Sequence, residues 1–146
     1  MNLFEAKLNG TLYGLMRWQD WDALRVRLGN DPGYRWYAYA VGSELPHETL
    51  GTNALLVLLN EIDALLRRDH TEDYLGIVYV DNPDHPSLIK IYDPNNLGAS
   101  CGSIGFKVPP GWVLSLDRPI PLEAATPLPG NRRRWWDALR ARLISA

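Results

Sequence analysis

Between Thr52 and Arg68, large aliphatic residues recur at three- and four-residue intervals: Leu55, Leu58, Leu59, Ile62, Leu65 and Leu66. That spacing lines all of them along one stripe of a helix, and a stripe so apolar has to be buried against other parts of the chain. Thr52 or Asn53 stands where a side chain can cap the helix start, and Arg67 and Arg68 sit near its negative C-terminal end. The remaining sequence must therefore supply a surface that covers this stripe.

A sheet is the surface the sequence offers. Tyr34 to Val41 is rich in aromatic residues, with Trp36, Ala38 and Ala40 on one face and Tyr37, Tyr39 and Val41 on the other. The small alanines would let a helix approach closely. Leu75 to Val80 and Ser87 to Tyr92 read as two strands, and the short turn-rich link Asp81 to Pro86 makes them antiparallel. Ser103 to Lys107 and Trp112 to Leu116 are weaker strand candidates on either side of Pro109-Pro110-Gly111.

Two more helices are expected at the flanks. One runs from Trp18 to Leu28 and is stopped by Gly29-Asn30-Asp31-Pro32-Gly33; the other runs from about Asn131 to Ile144. They share an echo, since Trp21-Asp22-Ala23-Leu24-Arg25-Val26-Arg27-Leu28 returns as Trp136-Asp137-Ala138-Leu139-Arg140-Ala141-Arg142-Leu143. Nothing around either copy repeats, which points to one amphipathic solution reached twice rather than to a duplicated unit. Leu3 to Met16 is ambiguous: Asn9-Gly10 between two mixed apolar runs is a hairpin signal, while Tyr13-Gly14 weakens the second strand. Arg118 to Gly130, with four prolines, is an extended connection. The expected fold is a single α+β domain over residues 1–146: a four- or five-stranded, mostly antiparallel sheet packed by the central helix and flanked by N- and C-terminal helices.

Charge and cysteine content narrow the function. Lys and Arg number 15 against 17 Asp and Glu, a formal net charge of -2, so the overall attraction to phosphate that nucleic-acid binders show is missing. Cys101 is the only cysteine, which excludes an internal disulfide and a multi-cysteine zinc site and fits a reducing compartment. The N-terminal residues do not read as a secretory signal, and no apolar run is long enough to span a bilayer. The expectation is a cytoplasmic chain with no membrane or nucleic-acid partner and no cofactor.

Few residues have the look of chemistry. Cys101 lies in the glycine-rich run Gly98 to Gly105, where mobile backbone N–H groups could meet an oxyanion and His47, His70 or His85 could take a proton. A small enzyme with Cys101 as nucleophile is thus an alternative reading, although no family spacing links the histidines to it. The loop lacks the Gly-Lys-Ser/Thr ending of a nucleotide-binding loop. His47-Glu48, Asp69-His70 and Asp84-His85 are isolated pairs without metal-ligand spacing. Asp81, Asn82, Asp84, Asp93, Asn95 and Asn96 are residues that turns use in any case.

Two features suit binding better. Tyr37 and Tyr39, with Tyr79 and Tyr92, would form an aromatic contact surface if one sheet face is open, either to a protein partner or to a small molecule in a sensor. Arg132, Arg133 and Arg134 precede Trp135 and Trp136 at the start of the last helix, where positive charge is disfavoured. Such a cluster either meets an acidic partner or is matched internally by Glu123, Asp69 or Glu72. Only one of the two adjacent indoles can point squarely into the core, which leaves Trp135 beside the arginines, and Trp and Arg are the residues most enriched at binding hot spots. The function expected from sequence is accordingly that of a small, non-enzymatic interaction or regulatory protein, adaptor-like, whose partner presents an acidic protein surface. Homo-oligomerisation is left open.

Overall fold

The computed structural model describes residues 2–97, 109–123 and 129–145. Cys101 and the strand expected at Ser103 to Lys107 lie outside the described residues. The elements run in the order α1 (Leu3–Leu8), β1 (Tyr13–Leu15), α2 (Trp18–Gly29), β2 (Tyr37–Ala40), α3 (Thr52–Asp69), β3 (Val78–Val80), β4 (Leu88–Ile91), the single turn α4 (Pro94–Leu97), β5 (Trp112–Ser115) and α5 (Gly130–Ser145). The five strands form one antiparallel sheet in the order β1-β3-β4-β5-β2, an α+β architecture as the sequence implied.

The central helix behaves as its periodicity requires. Leu55, Leu58, Leu59, Ile62, Leu65 and Leu66 are all buried, and they join Val78, Val80, Ile89, Ile91 and Leu114 in one core. Its start differs from expectation: Gly51, not Thr52 or Asn53, is the N-cap residue, and it provides no side-chain cap. Helices α2 and α5 lie on either side of α3. Each presents its copy of the shared motif inward, Trp21, Leu24 and Leu28 from α2 and Trp136, Leu139 and Leu143 from α5. The two seams differ outside the core. Trp21 Nε1 donates to Asp63 at 2.9 Å, and Arg67 bridges Asp63 and Asp22 at 2.8 and 2.7 Å, tying α2 to α3. The α5 seam carries Arg142 with Glu61 at 3.3 Å. Ala38 and Ala40 face the helices, and Ala38 leaves room for Trp136 and Leu143 beside it.

The N-terminal hairpin is not formed. Asn2 accepts from the Glu5 N–H and starts a short helix, and Asn9 with Gly10 ends that helix instead of turning a hairpin. The reason lies in Phe4 and Leu8, which are four residues apart and so share one helical face. They pack on the second face of the sheet with Tyr39, Val41, Leu88 and Val113. Ile120 and Leu122, from the proline-rich connection, complete this smaller cluster. Both faces of the sheet therefore carry apolar cover.

The stripe on α3 is the largest contributor to this core, so Leu59→Ala should lower stability by about 2–5 kcal/mol in urea unfolding. A loss below about 0.5 kcal/mol would mean that the helix does not use this face.

Candidate functional site

The start of α5 is where the sequence placed most of its binding candidates. Its first turn contains no acid to offset three arginines at the positive end of the helix dipole. The structure resolves this conflict by dividing the arginines. Arg132 turns inward: its Nε donates to Asp93 Oδ2 at 3.0 Å, and its Nη2 donates to Asp93 Oδ1 at 3.1 Å and to Asp69 Oδ2 at 2.8 Å. The Arg132 and Asp93 side chains are each only 5% exposed. Arg132 is thus a clamp within the molecule, and its side chain is withdrawn from the surface expected for it.

Each partner in this clamp is held in turn. Asp93 also accepts from the Asn95 N–H at 2.9 Å, opening the α4 turn. Gly111 packs directly on the Asp93 backbone, and a Cβ at that position would lie 2.9 Å from the Asp93 Cβ, so only glycine fits the close approach. Asp69 accepts from Arg68 as well, at 2.9 Å. Hydrogen bonding from Arg68 and then from Arg132 outweighs the opposing effect of burial and lowers the Asp69 carboxyl to about 2. For Arg132, burial works against the charge, but the bonds to Asp93 and Asp69 prevail and raise its pKa.

Arg133 and Arg134 are left outside. Both are exposed and form no ion pair with a described residue, and the segments outside the description contain no Asp or Glu. Asp137, the single acid of α5, lies one turn further along without pairing to either. Trp135 is half-buried beside them. Its ring meets Trp112 edge-on at 5.9 Å and lies 6.0 Å from Trp136, which is itself only 2% exposed. Of the internal acids suggested by sequence, only Asp69 is used here; Glu72 and Glu123 are exposed. Asp93 was missed because a single Asp before a Pro-Asn turn signals only that turn.

Tyr37 and Tyr39 do not join this site. They lie on the opposite face of the sheet from α5, and Tyr39 is 2% exposed beneath the second apolar cluster. Its hydroxyl accepts from the Leu122 N–H at 3.0 Å, which fixes the ring in place. Tyr39 is therefore a core residue and supplies no contact surface, whereas Tyr37 is half-buried. Tyr79 and Tyr92 meet edge-on at 5.8 Å, and Lys90 sets its ammonium 5.3 and 5.1 Å from the two rings. The protein's own lysine thus takes up part of this aromatic platform.

Other candidates are more ordinary. Asp81 accepts from the N–H groups of Ser87 and Leu88 and from the Ser87 hydroxyl, and Asn82 accepts from the Asp84 and His85 N–H groups, so both serve the β3–β4 turn. His70 is buried with Nε2 2.8 Å from the Leu75 carbonyl oxygen, His47 pairs with Glu44 at the surface, and His85 is exposed. Among the described residues no three His, Cys, Asp or Glu gather as a metal site would need. A cleft of about 570 Å³ opens beside the start of α3, lined by Arg35, Thr49, Thr52 and Asn53 among others. Arg35 is exposed there and already donates to the Thr49 hydroxyl and carbonyl.

The lowered Asp69 pKa fixes a pH dependence. Its folded value of about 2 lies below the ordinary 3.8, so the clamp contributes stability fully above about pH 4 and loses it as pH falls toward 2. Asp69→Asn should cost roughly 1–2 kcal/mol at pH 6 and almost nothing at pH 2, measured by urea unfolding across that range. A difference that stays constant with pH would contradict the pairing. No protein-family model, curated protein or solved structure matches this chain.

Proposed function

We propose that this chain is a small, non-enzymatic interaction or regulatory protein of the cytoplasm, and that it docks an acidic protein surface on the first turns of α5. The observation that carries this reading is the unpaired state of Arg133 and Arg134, which are exposed and free of ion pairs among the described residues. Their position adds weight, because two positive charges at the N-terminus of a helix oppose its dipole and gain nothing for folding. Half-buried Trp135 beside them provides a rigid apolar surface of the type found at binding hot spots. The overall charge of -2 and the small number of free arginines favour a protein partner over a nucleic acid, which calls for many phosphate contacts. The single cysteine is consistent with a reducing compartment.

Arg132 keeps its charge in this test, since a neutral residue there would strand Asp93 as a buried charge. The double variant Arg133→Gln, Arg134→Gln should keep or slightly raise the melting temperature, because an unfavourable charge–dipole interaction is removed. Its affinity for the protein that co-purifies with a tagged wild-type chain should fall about tenfold, with a weaker dependence on salt. Unchanged affinity, or a bound small molecule in place of a protein partner, would contradict the proposal.

A further inference from the structure

We infer that Asp93 and Asp69 act as positioning residues for this surface, and that the segment it takes is an acidic peptide held against Arg133, Arg134 and Trp135. The inference rests on the docking role proposed for α5. Helix starts fray easily, and α5 follows a proline-rich connection with no acid in its own first turn. What holds its first turn down is the inward Arg132, gripped through both Nε and Nη2 by Asp93 and again by Asp69. The neighbouring Arg133 and Arg134 leave the same rigid turn in the outward direction. Fixing them before binding lowers the ordering cost of association, so the clamp would add affinity without touching the ligand. Charge complementarity selects the occupant, because the exposed arginines outnumber the one acid of α5 and have no internal partner among the described residues.

Charge and position predict opposite signs here, which makes the inference testable. Asp69→Asn and Asp93→Asn each make the protein more positive, so electrostatics alone would tighten binding to a short polyglutamate peptide. Positioning predicts that binding weakens, by about threefold to tenfold, and that the amides of residues 133–137 exchange faster with solvent. Arg132→Lys, which keeps the charge but loses the two-point grip, should weaken binding in the same way. Asp69 is 23% exposed, so its variant tests the idea even where Asp93→Asn fails to fold. Titrations of the folded proteins at low salt, followed by calorimetry, give the answer. Tighter binding of polyglutamate to Asp69→Asn would overturn the positioning role. Failure of the wild-type chain to bind polyglutamate, or stronger binding to a thymidine oligonucleotide of equal charge, would overturn the acidic peptide as the occupant. Loss of binding in Asp69→Asn with no loss in the Arg133→Gln, Arg134→Gln variant would leave the clamp but remove the α5 docking surface.

Discussion

One buried ion pair joins parts of this molecule that are far apart in sequence. Arg132 at the start of α5 meets Asp93 at the end of β4, and Asp69 at the end of α3 shares the same guanidinium. Desolvating such charges is expensive, and a buried pair often stabilises no more than a well-packed apolar pair would. Its distinctive effect is on arrangement. The arginine's planar fork can satisfy two carboxylates only when α3, the β4 end and α5 occupy one relative position. Gly111 belongs to the same constraint, since only a residue without a side chain lets the start of β5 lie against Asp93.

The apolar layers leave that arrangement little freedom elsewhere. Helix α3 lies between α2 and α5, and the two copies of the Trp-Asp-Ala-Leu-Arg motif press their Trp and Leu residues into the same core from opposite sides. On the far face of the sheet, α1 and the proline-rich connection enclose Tyr39 and Leu88. With Arg132 drawn inside and α5 fixed along its length, the basic residues that remain at the surface are defined by default. A local conflict between helix dipole and charge is thereby converted into two exposed arginines beside a tryptophan.

Much of this was legible in the sequence. The α3 stripe, the inward and outward alternation along Trp36 to Val41 and the inward face of both motif helices follow from periods of 3.6 and 2 residues, and the β3–β4 pairing follows from the short Asp81 to Pro86 link. The N-terminus stayed ambiguous in sequence because Asn9-Gly10 ends a helix as readily as it turns a hairpin, and only the packing of Phe4 and Leu8 decides between them. The binding candidates were partly legible. Three arginines at a helix start announced a conflict, and Asp69 was among the acids considered, but which arginine turns inward depends on where β4 ends in space. The separation of Tyr37 and Tyr39 from α5 by the thickness of the sheet is likewise a property of topology, invisible to local patterns.

The division of labour among the three arginines is open to direct observation without any substitution. In the nitrogen-15 spectrum of the folded protein near neutral pH, the Arg132 Nε–H should give a sharp, separate signal with exchange slowed by orders of magnitude. Burial and the bond to Asp93 Oδ2 at 3.0 Å both protect it. The Nε–H groups of Arg133 and Arg134 should exchange at rates close to those of a free side chain. Equal, rapid exchange at all three would contradict the inward clamp, and with it the argument that the surface of α5 was left free to bind.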